Sequence, residues 1–247
     1  MPPPARRIGI LAGGGSIPRE IADSVAARGE PVFIVALAGE ADRTFAPHPS
    51  AKVDWGQIGR MVSLFRQNGT TDIVIVGRVT RPDLAKVRPD LGLVAALPLI
   101  WRIMRAGGDD AVLREVIAFF EGKGLRVVGP ADVAPELMVG PGRLGAERPD
   151  PADAADIALG LDVVAQLGPL DIGQGVVVSD GRITAIEGVE GTDRMLHRVA
   201  ALRRVAEDGT TPPAFDRRGV LIKRPKPGQE LRIDLPAIGP DTVTGAA

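Results

Sequence analysis

The chain contains no cysteine and no tyrosine, only two histidines, and 3% aromatic residues. Each shortage removes a class of chemistry. Without cysteine there are no disulfides, thiolate nucleophiles or thiolate metal sites. His48 and His197 are too few for a histidine-rich zinc site, and neither a Ser-His-Asp set nor a cysteine dyad can be assembled. Aromatic platforms for stacking nucleobases are not supported. Thirty basic residues nearly balance thirty-one acidic ones, so no strong field draws the chain to nucleic acid. No apolar run reaches the length of a membrane span. Residues 1–7 are too short and too proline-rich for a signal peptide. The expectation is a cytoplasmic protein for which contact with a membrane surface stays open.

What is present is 247 residues, enough for one large or two modest domains with a sizeable core. The most distinctive stretch is Ile8-Gly9-Ile10-Leu11-Ala12-Gly13-Gly14-Gly15-Ser16-Ile17-Pro18. It predicts a buried strand, a glycine turn and a helix start, with Ser16 as cap and Pro18 in the first turn. Glycines allow positive φ and close backbone approach, and the free N–H groups of a helix start attract anions. A tight turn with no ligand explains the same residues. Gly13 and Gly15 meet the first part of the dinucleotide fingerprint, but Pro18 stands where its third glycine belongs. No acidic residue falls near Leu37, the end of the second predicted strand, which weakens a nicotinamide reading further.

Helical spacing and apolar runs predict helices over 18–28 and 57–67, and strands over 31–37, 51–55 and 71–76. Strands alternating with helices predict a mostly parallel, doubly wound sheet. A helix over 91–105 carries Leu93, Leu97, Ile100, Trp101 and Met104 on one face, with a bend at Pro98. That stripe is either core or the wall of an acyl-chain groove. A helix over 111–121 and a strand over 125–128 follow. Residues 131–150 are rich in proline and glycine and read as a linker. The boundaries expected are therefore a first domain over 1–130, a linker over 131–150 and a second domain over 151–247. The second domain begins with a helix over 151–167. Strands over 175–179 and 182–188 follow, joined by an Asp180-Gly181 hairpin. A helix over 194–205 and strands over 219–223 and 231–235 complete it.

Ligands of doubly wound sheets bind beyond the carboxyl ends of the strands. The Gly13–Gly15 turn and the segment Gly77-Arg78-Val79-Thr80-Arg81-Pro82 both lie just past buried strands, so they are expected to share one crevice. Arg78 and Arg81 offer forked donors for phosphate oxygens, or are simply solvated. Asp109 and Asp110 are helix caps, or ligands for Mg²⁺ or a sugar hydroxyl. Asp171, Gln174, Thr192 and Asp193 place polar groups at turns beside glycines, as turn formers or as binding groups. Lys223 and Lys226 can neutralise a phosphate. Asp234 lies in an apolar stretch, Ile233-Asp234-Leu235. A buried carboxylate needs a cation or several donors. The choice there is between a salt bridge to Lys223 or Arg232 and a role as metal ligand or orienter of an attacking water.

Seven blocks in order, GILAGGGSIP, VGRVTRPDL, GGDDAVLREV, GRLGAERPDP, LDIGQGVVV, AIEGVEGTDRML and KRPKPGQELRIDLPAIGPDTV, resemble one family. It is the LpxI-type UDP-2,3-diacylglucosamine pyrophosphatases of lipid A biosynthesis. The resemblance spans Ile8 to Val243 and implies an α/β fold: a Rossmann-like doubly wound N-terminal domain and a smaller α/β C-terminal domain, with the substrate in a cleft between them. It implies Mg²⁺-dependent hydrolysis of the substrate's pyrophosphate bond to UMP and 2,3-diacylglucosamine 1-phosphate, with Mn²⁺ as a substitute ion. Asp234 matches the aspartate of the family's RxDLPxIG segment and takes the catalytic and metal-binding role. Gly13, Gly14, Gly15, Gly77, Arg78, Asp109, Asp110, Gln174, Thr192, Asp193 and Lys223 would bind substrate, with Arg78 standing where the family commonly has asparagine. The acyl chains would meet Leu97, Ile100, Trp101 and residues Leu137, Met138 and Val139. A nucleotide-lipid substrate also implies transient contact with the cytoplasmic face of the inner membrane, and a homodimer is compatible. The competing reading is a non-catalytic sensor that binds the same ligand without turnover.

Overall fold

A computed structural model describes residues 6–41, 44–80, 90, 92, 96–105, 109–170, 172–207 and 219–246, with the side chains of 98, 99, 103, 104, 109, 110 and 204–207 outside that description. The chain divides into two compact units, 1–140 with Glu230–Asp234, and 141–229 with 235–247.

The first unit is a parallel sheet of β1 (Ile8–Ala12), β2 (Val32–Leu37), β3 (Ser50–Val53), β4 (Asp72–Val76) and β5 (Arg126–Val127), in the order β3-β2-β1-β4-β5. This is the doubly wound order of a Rossmann-type sheet, whose direction of winding reverses between β1 and β4. Every residue of β1 is buried, as a central parallel strand covered on both faces must be. Alternate residues feed opposite faces. Ile8, Ile10, Ala12, Ile34 and Val74 pack with Ile21, Ala22 and Val25 of α1 (Ile17–Ala27). Leu11, Val35 and Ile73 pack with Met61, Val62 and Phe65 of α2 (Ile58–Gln67). α3 (Leu97–Arg105) is followed by α4 (Asp109–Gly122), which adds Ile117 and Phe120 to the second face. A Cβ on Gly9 would lie 2.7 Å from the Phe65 ring, so glycine inside the strand lets that ring reach the sheet.

Several expectations are corrected here. Ser16 holds the N-cap position of α1, but its side chain makes no capping hydrogen bond; its φ and ψ are already helical, which turns the hydroxyl away from the first free N–H groups. Within 131–150, the stretch expected to be a linker, a short helix α5 (Pro130–Val133) and a 3₁₀ turn (Pro135–Leu137) form, and Val133 is buried against the α1 face. Residues 231–235 form a turn, not a strand.

The second unit is an antiparallel sheet ordered β7-β6-β8, from β6 (Gly175–Ser179), β7 (Arg182–Ile186) and β8 (Val220–Lys223). α6 (Pro151–Leu167) packs Val164 on Val176, Val178 and Ile222. α7 (Thr192–Glu207) packs Met195, Leu196 and Val199 on Val177 and Ala185 of the other face. Asp180 and Gly181, at φ 52° and 70°, form the hairpin turn, and their N–H groups donate to the buried Asp156 carboxylate of α6. A last helix, α8 (Pro240–Ala246), lies against α7. No described helix is long and apolar enough to cross a membrane.

Candidate functional site

At the carboxyl edge of the parallel sheet, the turns after β1 and β4 meet directly. Gly14 N–H donates to the Arg78 carbonyl at 2.8 Å, and Arg78 N–H donates to the Gly14 carbonyl at 2.9 Å. A Cβ on Gly13 would lie 2.5 Å from the Arg78 carbonyl oxygen, and one on Gly77 would lie 2.8 Å from the Gly13 carbonyl carbon. Gly13 and Gly77 are therefore required by this contact between the two turns. Gly15 differs: at φ +95° its missing Cβ faces open space, so glycine there serves the backbone conformation. The expected crevice is bridged by backbone hydrogen bonds at the switch point. Arg78 is exposed, and among the described residues its guanidinium has no hydrogen-bonding partner.

The same edge carries an acid that sequence reasoning missed. Glu40, three residues past β2, accepts from Thr80 N–H at 3.1 Å and from Thr80 Oγ1 at 2.6 Å. An acidic residue does follow Leu37, but its carboxylate is committed to the loop after β4. Arg81 and Asp171 lie outside the described residues. Asp109 and Asp110 occupy the first two positions of α4, and their side chains lie outside the description.

Asp234 belongs to the first unit. The turn Glu230–Asp234 is held there by Ile233, which packs on the cluster containing Phe120 and Leu125. It is held also by Arg232, which pairs with Glu121 at 3.1 Å and Glu230 at 2.9 Å. Pairing with Arg232 holds the Glu230 carboxyl below the usual carboxylate range, against the opposing effect of burial. The Arg232 Cα would lie 3.4 Å from a Cβ on Gly129, two residues past β5. The Asp234 turn therefore sits at the carboxyl edge of the sheet, as does the glycine turn. Arg232, one of the two partners foreseen for Asp234, pairs with Glu121 and Glu230. The Asp234 N–H donates to the Glu230 carbonyl at 3.0 Å, and its side chain is half-buried.

In the second unit, four sequence-derived candidates converge on one end of the antiparallel sheet. β6 begins there, β7 and β8 end there, and α7 starts there. Lys223 Nζ donates to Thr192 Oγ1 at 2.7 Å. Thr192 Oγ1 donates to Glu187 Oε1 at 2.6 Å, and Gln174 N–H donates to Glu187 Oε2 at 3.4 Å. The Gln174 side-chain oxygen accepts from Gln229 Nε2 at 3.4 Å. Asp193 is exposed in the first turn of α7. Glu187, 7% exposed, is the residue that ties the group together, and it was not singled out from the sequence. Its only signal there is a carboxylate closing an apolar strand.

Among the described residues, no group of three or more His, Asp or Glu side chains is placed to hold a metal ion. These residues do not build a protein cage for Mg²⁺ or Mn²⁺.

The family model described as the LpxI N-terminal domain matches residues 7–137, and that of the LpxI C-terminal domain matches residues 140–247. A relative from Caulobacter vibrioides, UDP-2,3-diacylglucosamine pyrophosphatase LpxI, is 40% identical over 242 residues, covering 98% of this chain and 85% of the relative. A solved structure described as an NAD-dependent epimerase/dehydratase from Methylobacillus flagellatus is 17% identical, with a TM-score of 0.28, over 49% of this chain and 34% of that one. At that score the likeness carries no argument.

Proposed function

The chain belongs to the LpxI family, and from that premise we propose that it hydrolyses the diphosphate of UDP-2,3-diacylglucosamine to UMP and 2,3-diacylglucosamine 1-phosphate. The observation that carries this is the 40% identity to a UDP-2,3-diacylglucosamine pyrophosphatase over 98% of the chain, with both family domains matched in order.

The chemistry asks little of a nucleophilic side chain. Water adds to one phosphorus, the bridging P–O bond breaks, and the leaving phosphate departs as an oxyanion. Positioning and charge neutralisation supply most of the catalysis. That suits a chain with no cysteine and no Ser-His-Asp set. We assign Asp234 to prepare the water. Its support is its location at the carboxyl edge of the sheet and a side chain left partly open to solvent. For the first unit we assign substrate contacts to the Gly13–Gly15 turn, Gly77, Arg78, Asp109 and Asp110. The exposed guanidinium of Arg78, which has no hydrogen-bonding partner among the described residues, supports its assignment. For the second unit we assign Gln174, Thr192, Asp193 and Lys223, three of which share one hydrogen-bonded cluster.

Mg²⁺ stays in the proposal as an ion that travels with the diphosphate. Such ions need only one or two protein carboxylates beside substrate phosphates, and Asp234 is the one assigned. Contact with the cytoplasmic face of the inner membrane belongs to the same reading, because the substrate carries two acyl chains. A homodimer is part of it too, and light scattering reads the mass. The reaction is tested by ³¹P NMR of UDP-2,3-diacylglucosamine incubated with the protein. Loss of the diphosphate signals with growth of two monophosphates is expected. Release of UDP, or binding without product, contradicts the reading.

A further inference from the structure

Glu187 has no place in the reaction as described, yet the structure encloses it closely. It follows β7 directly and is buried on the sheet end that carries Thr192 and Lys223. A Cβ on Gly173 would lie 2.2 Å from the Glu187 carbonyl oxygen, and one on Gly175 would lie 2.8 Å from Glu187 Oε2. Gly175 thus clears the space in which this carboxylate sits, while Gly173, at φ +135°, lets the Glu187 backbone approach.

The direction of the hydrogen bonds follows from the groups themselves. A carboxylate accepts and an ammonium donates, so the Thr192 hydroxyl between them must give its one proton to Glu187. Its lone pair is then left to accept from Lys223. The chain runs Lys223 to Thr192 to Glu187 and cannot run the other way. Lys223 makes no ion pair with any described carboxylate, and among the described residues Thr192 is the one hydrogen-bond partner of its ammonium. A half-buried ammonium so placed suits an incoming anion.

We propose that Glu187 is a positioning residue of the substrate site: by fixing the Thr192 hydroxyl it holds the Lys223 ammonium where an anionic phosphate group of the substrate docks. This rests on the reading of the protein as a nucleotide-lipid diphosphatase and names what orders one of its cations. Glu187 itself touches no substrate. Its loss acts through Thr192 and shows in binding more than in the chemical step.

The test is steady-state hydrolysis of UDP-2,3-diacylglucosamine by wild type, Glu187→Gln, Glu187→Ala, Thr192→Val and the Glu187→Ala/Thr192→Val double variant, each checked by thermal melting. Losing a hydrogen bond that orders a charged group is worth about tenfold in affinity. Glu187→Ala and Thr192→Val are expected to raise KM about tenfold, with kcat within about threefold of wild type. Glu187→Gln keeps an acceptor oxygen for Thr192 and stays within about threefold in KM. The double variant is expected to be no worse than either single one, because both break one chain. Should Glu187→Ala fail to fold, Thr192→Val and Glu187→Gln carry the comparison. A KM for Thr192→Val within twofold of wild type, additive losses in the double variant, or a Glu187→Gln protein as impaired as Glu187→Ala would each overturn the proposal. Titration with UDP repeats the comparison without turnover. A wild type that binds UDP through this chain but hydrolyses nothing contradicts the enzymatic reading and leaves this inference standing.

Discussion

Asp72 shows how a buried carboxylate is stabilised away from the site. It lies at the start of β4, 2% exposed. Burial alone would raise its pKa, but hydrogen bonds from Arg126 and Thr71 and the charge of Arg6 outweigh that and hold it below the ordinary 3.8. A carboxyl depressed in the folded state adds stability above its unfolded pKa, and that stability is lost as pH falls through the folded value. Urea midpoints of wild type and Asp72→Asn are therefore expected to differ most at neutral pH and to converge as pH falls through the lowered Asp72 pKa. A gap that persists at low pH would contradict this role. Glu187 is buried in the second unit and was not legible from the sequence, for a physical reason. Nothing in Ala185-Ile186-Glu187-Gly188 spaces it from a partner, because its partners are a helix start and a glycine turn brought near only by folding. Thr192, Gln174 and Lys223 were legible because each stands beside a turn or strand end with its own local signature.

At the scale of elements, β1, β2 and β4 were readable as continuous apolar runs, which strands covered on both faces require. Residues 231–235 were misread. Leu231, Ile233 and Leu235 alternate as a strand would, but among the described residues no strand pairs with them. Ile233 instead packs, partly buried, on the cluster that includes Phe120 and Leu125, and Arg232 pairs with Glu121. Alternation records which side chains want burial, and not what will cover them. At Gly13 and Gly77 the close approach of the two turns leaves no room for a Cβ. Gly77→Ala combines a φ of +98° with a Cβ 2.8 Å from Gly13, so it is expected to cost about 2 kcal/mol or more in unfolding free energy. An unchanged denaturation midpoint would refute the turn-to-turn contact. In α3, Leu97 and Trp101 stand one turn apart and are each 56% exposed. Arg105 lies over the Trp101 ring at 4.0 Å. Neither apolar side chain is core, and an exposed Leu, Trp and Arg on one helix face suit a membrane interface. Trp101→Ser is expected to reduce co-sedimentation with vesicles containing anionic phospholipid by about threefold or more. Equal recovery of the two proteins in the pellet would remove α3 from that role.

For the molecule as a whole, the two units divide the assigned groups. The parallel sheet carries the glycine turns, Arg78 and the Asp234 turn at its carboxyl edge. The antiparallel sheet gathers Gln174, Glu187, Thr192 and Lys223 at one end. The return of Glu230–Asp234 to the first unit after the chain has built most of the second was not foreseen, since nothing local distinguishes a segment that goes back from one that continues. That return puts the residue assigned to the water on the sheet edge where doubly wound folds place their chemistry. The rate of UMP release from UDP-2,3-diacylglucosamine with Mg²⁺, measured for wild type and Asp234→Ala, tests this arrangement most directly. Wild type is predicted to release UMP, and Asp234→Ala to release it at least about a hundredfold more slowly while binding UDP and melting as wild type does. UMP release by Asp234→Ala at the wild-type rate, or none by either protein, would contradict it.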